Sequence, residues 1–461
     1  MNSYDVAVIG AGPGGYETAI RCAQKGLKTA LIEEADLGGT CLNRGCMPTK
    51  ALLQGANRYY DVTHPAYGVK AENVSLDFEQ LYAFKDEIVS RLRNGVRMLE
   101  KAYKVDLITG HAVLNGPDSI MVGDRLVLSK NIIISTGSRP AALPIPGADG
   151  ERVITSNDVF HLQSRPESLI LVGGGVVGIE FATLLAKLGT KVTVLEALPE
   201  IMPGLEPEIR QCLLANLSAC GDVSVHAGAM VSAIASEAES ARVTCTVNGE
   251  KKEFSATYCV LAVGRKANIE KIGLEKAGIE TEGGFIKVDS QMRTNVKNVY
   301  AIGDVTGKVM LSHIARAQGM VCADVISGQA REMDYTVVPS CVYTSPEIAT
   351  VGLSEKEARE KYPHVRTGLF YASGSGKCQI EGCATGATKL VVNDDTGELL
   401  GAQVCAPRAT DTIAEICAVM MCEGTEEELR HMIHPHPTVS EMWYETANDL
   451  VHMSCSSMPK R

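Results

Sequence analysis

The sequence predicts an α/β chain built on two dinucleotide-binding units of one design, and three observations predict it. A strand–helix–strand pattern occurs twice at equal length, each copy carries a Gly-x-Gly-x-x-Gly turn, and each ends on an acidic residue. With 461 residues, there is room for roughly three domains of ~100–200 residues. A hydrophobic content of 45% is enough to give them cores.

The first copy, residues 7–33, reads AVIGAGPGGYETAIRCAQKGLKTALIE, and the second, residues 170–196, reads ILVGGGVVGIEFATLLAKLGTKVTVLE. Each begins with a short apolar run suited to a buried parallel strand. The turn glycines follow: Gly10, Gly12 and Gly15, then Gly173, Gly175 and Gly178. They permit a tight turn and let backbone N–H groups approach a pyrophosphate at a helix N-terminus, where the dipole favours negative charge. An apolar stretch of helical spacing then stops at Gly26 or Gly189, where a left-handed residue would end a helix. The last apolar run finishes on Glu33 or Glu196, placed to hydrogen-bond a ribose hydroxyl. A lone turn of this kind could equally serve tight packing. Two in matched context point to two nucleotide sites. Glu196 favours NAD, because a carboxylate repels the 2′-phosphate of NADP and no Lys or Arg follows before Arg210. The alternative for Glu196 is a solvent-facing acid at a strand end.

A net charge of −11 argues against nucleic acid as partner, since neutralising phosphates needs a basic surface. The N-terminal residues run at once into Val6-Ala7-Val8-Ile9 without a basic leader, so no signal peptide is expected. No apolar stretch reaches the ~18 residues of a membrane helix. Fifteen cysteines are scattered through a large chain rather than packed into a small one. Most are therefore expected to be reduced core thiols of a soluble, cytoplasmic protein.

One pair stands apart by its spacing. Residues 38–50 read GGTCLNRGCMPTK, placing Cys41 and Cys46 five apart. An ideal helix rises ~7.5 Å over five residues, beyond the ~7 Å limit for a disulfide. If the two pair, the turn between them cannot be regular helix, and Gly45 and Pro48 make an irregular one feasible. Arg44 and any helix N-terminus here would favour thiolate over thiol. The alternative is two core cysteines near a turn. Zinc is poorly supported, because no second Cys/His pair lies nearby to complete four ligands.

Taken together, GAGPGGYETAIRCAQ, GGTCLNRGCMPTKAL, IIISTGSRP, GGGVVGIEFA, VYAIGDVTG and HPHPTVSE occur along the chain in an order that resembles the FAD-dependent pyridine nucleotide–disulfide oxidoreductases. The resemblance covers essentially the whole chain. It implies two Rossmann-like domains, for FAD and NAD, followed by a C-terminal α+β dimerisation domain. The implied boundaries are 1–146 for the FAD domain, 147–265 for the NAD domain, 266–336 for a central segment completing the FAD site, and 337–461 for the interface.

Under this resemblance Cys41 and Cys46 form the redox disulfide. Gly10, Gly12, Gly14, Gly15 and Glu33 serve FAD, joined by Thr40, Gly110, Thr136 and Gly137. Asp304 would bind the ribityl chain, with Met310, Leu311 and His313 lining the same cofactor. Lys50 would sit near the flavin with Glu180 as its partner, and Gly173, Gly175, Gly178, Glu196, Val231 and Gly264 would line the NAD site. His436 matches the family's base and Glu441 the carboxylate that holds it, while His434 and His431 read as structural. Such a base is chemically reasonable, since a dithiol must lose a proton to become a nucleophile. In the family the base comes from the partner subunit, which implies an obligate homodimer. The implied substrate is the dihydrolipoyl group of a lipoyl-bearing protein, from a 2-oxoacid dehydrogenase complex or the glycine cleavage system. Arg44, Met47 and Thr49 depart from the usual residues of the cysteine motif, and Arg44 could alter thiol acidity. Residues 373–387 (SGSGKCQIEGCATGA) are unusually rich in small residues and carry two cysteines, and this reading gives them no role.

Overall fold

The first apolar run becomes a central strand because it is covered on both faces. Ser3–Ile9 lies between Thr29–Glu33 and Arg125–Ile134 and runs parallel to both, so Ile9 stands beside Ile32 and Ile134. Val6, Ala7 and Val8 are wholly buried, which is why the run is unbroken by polar residues. In this computed structural model, which describes residues 3–456, seven strands make up that sheet. Asp106–Thr109 closes one edge, and an antiparallel pair, Ala112–Gly116 with Ser119–Val122, extends the other. Val299–Ala301 returns from far along the chain to pair with Arg125–Ile134.

Four helices belong to this first unit. Helix α1, Pro13–Gln24, opens with proline in its first turn and has no side-chain cap, which leaves its first N–H groups available to an anion. Gly26 ends it at φ +82°. Helices α2, Gly39–Arg44, and α3, Cys46–Thr63, follow with only Gly45 between them. Helix α4, Phe78–Ala102, is capped by Asp77, whose carboxylate accepts from the Gln80 N–H.

The second unit repeats the plan. Five parallel strands run in the order Val223–Ala227, Lys191–Glu196, Ser168–Val172, Tyr258–Leu261, Val153–Thr155. Helix α5, Val176–Lys187, follows the second glycine turn and is buried along most of its length. It is enclosed because one apolar cluster joins it to Leu52, Leu53 and Ala56 of α3 and to Val342 and Ile348 of the C-terminal sheet. A three-stranded antiparallel ribbon, Ala229–Ala256 overall, lies beside the sheet.

The C-terminal part is α+β. Its five strands are antiparallel in the order Ser340–Val342, Glu347–Gly352, Leu399–Ala406, Ala387–Asn393, Val365–Tyr371. Helix Glu441–Asp449 buries Trp443 against this sheet. Within residues 373–387, the short helix Gly376–Ile380 buries Cys378, whose thiol contacts Met442 Sδ at 3.4 Å. Among the described residues no helix is long and apolar enough to cross a membrane.

Candidate active site

The cysteine motif folds as two helices broken at one glycine. Gly45 adopts φ −152° and ψ −111°, which ends α2 and lets Cys46 begin α3. The break brings the Cα atoms of Cys41 and Cys46 to 4.7 Å, and their sulfurs form a disulfide. A β-carbon on Gly45 would lie 3.0 Å from Thr40 O, so the close turn suits glycine. Cys46 occupies the positive end of an 18-residue helix, which favours a thiolate there.

The pair lines a cavity of about 580 Å³, within the size of small-molecule sites. Gly10, Gly12, Gly14 and Glu33 form one end of it, and Thr40, Cys41, Cys46 and Lys50 line the stretch beside the disulfide. Thr136, Gly137, Asp304, Met310, Leu311 and His313 also face it. Gly15 does not, because its place is structural: a β-carbon there would stand 1.8 Å from Gly10 O. Gly110 also lies outside the lining and donates its N–H to Glu33 O at 2.8 Å. The Glu33 carboxylate accepts from the N–H groups of Ala11 at 2.7 Å and Ala35 at 2.8 Å, so it braces the turn.

A second cavity of about 490 Å³ is lined by Gly173, Gly175, Glu196, Val231 and Gly264. Gly178 is again structural, its β-carbon position 2.1 Å from Gly173 O. The Glu196 carboxylate accepts from Gly174 N–H at 2.6 Å and Leu198 N–H at 2.8 Å, matching the geometry at Glu33. Ser156, Val176, Val177 and Arg265 line both cavities. The two sites therefore meet at a shared wall.

Charged groups are fixed around that junction. Lys50 Nζ donates to both oxygens of Glu180 at 2.9 and 2.7 Å, and lies 4.3 Å from the centroid of the Tyr343 ring. Glu180 also accepts the Tyr343 N–H at 3.0 Å. Asp304 accepts from Ser138 Oγ and lies 3.7 Å from Arg265 Nε. Arg265 in turn donates to Ser138 Oγ at 2.6 Å and Ser138 O at 2.7 Å. Burial pulls the Arg265 guanidinium down, against the neighbouring Asp304 carboxylate. His313 Nε2 contacts Pro339 O at 2.9 Å.

His436 and Glu441 are joined, at 2.8 Å from Nδ1 to Oε1, but neither lines either cavity. The His436 side chain is 80% exposed. Burial pushes the Glu441 carboxyl up, but hydrogen bonds from His436 and the Thr438 N–H outweigh it and hold the group below the usual carboxylate range. His434 is engaged elsewhere, with Nε2 2.6 Å from Glu415 Oε1.

The sequence reading did not single out Ser138, Arg265 or Tyr343, whereas Ser312 fell within the stretch 310–313 expected to line the flavin. Ser138 sits within IIISTGSRP and Arg265 directly after Gly264, so adjacency was a usable signal for two of the three. Tyr343 carried none.

The architecture suits FAD and NAD. The first cradle has no space for β-carbons at Gly10 and Gly15, and α1, which no side chain caps, begins with residues Gly12, Pro13 and Gly14 in the cavity lining. Two glycine-turn nucleotide cradles meeting at a disulfide define a nucleotide-dependent dithiol–disulfide oxidoreductase. Residues 4–319 match the Pyridine nucleotide-disulphide oxidoreductase family and residues 338–447 its dimerisation domain. The chain belongs to that family, and the second match supports a homodimer.

Relatives span the same length. A dihydrolipoyl dehydrogenase of Bacillus subtilis (strain 168) is 38% identical over 449 residues, covering 96% of this chain and 95% of that one. One from Chlamydia trachomatis is 39% identical over 452 residues, covering 96% of each. Among solved structures, the Cu(II) complex of the HOCl-induced flavoprotein disulfide reductase RclA from Escherichia coli superposes with a TM-score of 0.88. It is 28% identical, covering 97% of this chain and 99% of that one.

Proposed function

We propose that this protein oxidises the dihydrolipoyl group of a partner protein to the lipoyl disulfide, passing the electrons to NAD+. The observation that carries the reading is the Cys41–Cys46 disulfide in the wall of the first cavity, beside the Lys50–Glu180 pair. The chain is divided for this task at about residues 146, 265 and 336, as the sequence suggests. The lipoyl-bearing partner is a component of a 2-oxoacid dehydrogenase complex or the glycine cleavage system, and the protein works in the cytoplasm.

His436, oriented by Glu441, accepts a proton from the incoming dithiol. The resulting thiolate attacks Cys41 Sγ, the Cys41–Cys46 bond breaks, and its electron pair stays on Cys46. The substrate's second thiol, after losing its proton, displaces Cys41 and closes the lipoyl disulfide. His436 is exposed and lines neither cavity of its own chain, which supports the family-based reading that it serves the site of the other subunit. The first cradle and Asp304 would hold FAD, whose chemistry when bound would be a two-electron relay between the reduced pair and a nicotinamide nucleotide at the second cradle. Lys50 and Glu180 fix charge beside that relay.

The decisive experiment compares NADH with NADPH, each with lipoamide and with glutathione disulfide. Rapid turnover is expected only with NADH and lipoamide. Preference for glutathione disulfide would remove the dihydrolipoyl assignment. Replacing Cys46 by serine should abolish turnover while the protein stays yellow, and His436→Gln should slow dithiol oxidation ~100-fold or more while sparing reduction by NADH.

A further inference from the structure

Cys46 meets a hydroxyl that Cys41 does not. Ser312 Oγ lies 3.7 Å from Cys46 Sγ, within reach of a hydrogen bond to sulfur, and both face the first cavity. A disulfide sulfur carries no proton, so the hydroxyl is the donor.

The capping role expected of a serine near a helix start does not account for this placement. Ser312 is the first residue of helix Ser312–Ile326, whose cap position is Leu311, and no side chain caps that helix. Backbone bonds of the first turn are made without the hydroxyl: the N–H groups of Ile314 and Ala315 donate to Leu311 O at 3.1 and 3.0 Å. Among the described residues, Cys46 is the partner recorded for the Ser312 hydroxyl.

The two sulfurs thus differ in surroundings. Cys41 sits in the middle of the six-residue α2. Cys46 begins α3, and the start of a second helix of 15 residues faces it through Ser312. Two positive helix ends and one O–H converge on a single sulfur. We propose that Ser312 is a further catalytic residue, its hydroxyl donating to Cys46 Sγ and stabilising the thiolate left there when the disulfide opens. The inference rests on the disulfide-exchange reading above. When an incoming thiolate bonds to Cys41 Sγ, the Cys41–Cys46 bond breaks and its electron pair passes to Cys46 Sγ. The Ser312 O–H then becomes a charge-assisted bond, stronger than the one it makes to the neutral disulfide. Such a contact, made better as charge develops, speeds opening of the pair toward Cys46 rather than Cys41.

The test follows each thiol separately. Trypsin cuts after Arg44, so Cys41 and Cys46 fall on different peptides. The holoprotein is reduced anaerobically with NADH and alkylated with iodoacetamide across a pH series, and both peptides are quantified by mass spectrometry. Replacing Ser312 by alanine should raise the pH midpoint for Cys46 by about one unit, given the typical strength of a hydrogen bond to a charged group. Threonine, which keeps the hydroxyl, should restore the original midpoint. Alanine is a better helix former than serine, so folding is preserved. An unchanged Cys46 midpoint in the alanine variant overturns the proposal, as does an equal shift in the alanine and threonine variants. If neither cysteine becomes alkylatable after NADH, the disulfide-exchange reading itself falls and this inference with it.

Discussion

At the first glycine turn the β-carbon position of Gly10 lies 2.3 Å from Ser135 O, and at the second that of Gly173 lies 2.4 Å from Ala262 O. Both residues adopt left-handed backbone, at φ +98° and +114°. The acids at the strand ends brace the two turns alike, Glu33 on the Ala11 N–H and Glu196 on the Gly174 N–H. What differs is the middle glycine. A β-carbon on Gly175 would meet open space, whereas Gly12 is approached by Gly39, whose own β-carbon would fall 2.6 Å from Gly12 Cα. The Gly38 N–H also donates to Ala11 O at 2.8 Å. The second turn is approached as well, by the Met202 N–H donating to Gly174 O at 3.2 Å, but only in the first does the neighbouring segment reach the middle glycine. That difference fits the proposed function, in which the first unit would keep its flavin and the second exchange its nicotinamide nucleotide.

The largest effect should come from filling the closest approaches. Gly10→Ala is expected to leave the protein without flavin, seen as a colourless preparation. Gly173→Ala should keep the yellow colour but lose reduction by NADH. Equal loss of flavin in both variants would erase the distinction between a resident and an exchanging site.

Glu196→Ala comes next. Two backbone N–H groups lose their acceptor and the ribose its partner, which at ~1–3 kcal/mol corresponds to a KM for NADH higher by roughly 5- to 150-fold. Flavin content should not change. Steady-state kinetics with NADH and an absorbance ratio of flavin to protein check both statements.

Gly175→Ala tests the open space directly. Thermal stability should stay within about 0.5 kcal/mol of the parent, while the KM for NADH rises several-fold because the added methyl occupies the approach to the pyrophosphate. A matching loss of stability would show that the second turn is as closed as the first.

The smallest effect concerns the 25-residue α4, whose place before the third strand is taken in the second unit by the 13-residue helix Pro207–Ala219. Glu100 is 2% exposed and, among the described residues, neither carboxylate oxygen has a hydrogen-bond partner, and burial pushes its carboxyl up to about 8. Between the ordinary carboxylate range and pH 8 the folded chain keeps this proton and the unfolded chain does not. The contribution is thus fully present at acid pH and declines as pH rises toward 8. Glu100→Gln should flatten the loss of stability between pH 5 and 8, measured by denaturant midpoints. An unchanged slope would show that Glu100 ionises without cost.

Much of the site was legible because it is local in sequence. Cys41 and Cys46 and the turn glycines each lie within a few residues of one another, so spacing and chemistry exposed them, whereas the His436–Glu441 pair, equally local, was assigned by resemblance. Arg265 and Ser138 are 127 positions apart and meet only through the antiparallel pairing of Arg265–Ala267 with Ser138–Pro140. Lys50 and Glu180, 130 positions apart, were paired by resemblance rather than by any local pattern. Gly110 and Gly15 show the converse: their motifs were visible, but their place beside backbone rather than cavity was not.

By itself the sequence determined that there are two strand–turn–helix–strand units, that each ends in an acid, and that the cysteines could pair only across a broken helix. These are consequences of periodicity and short-range sterics, which operate between neighbours in the chain. The tertiary structure decided which cradle the cysteine segment covers, that the two cavities share a wall, and that a serine of a distant helix faces one sulfur of the pair and not the other. Such choices depend on how sheets and helices stack, and burial of a common apolar cluster (here α3, α5 and the C-terminal sheet together) sets them.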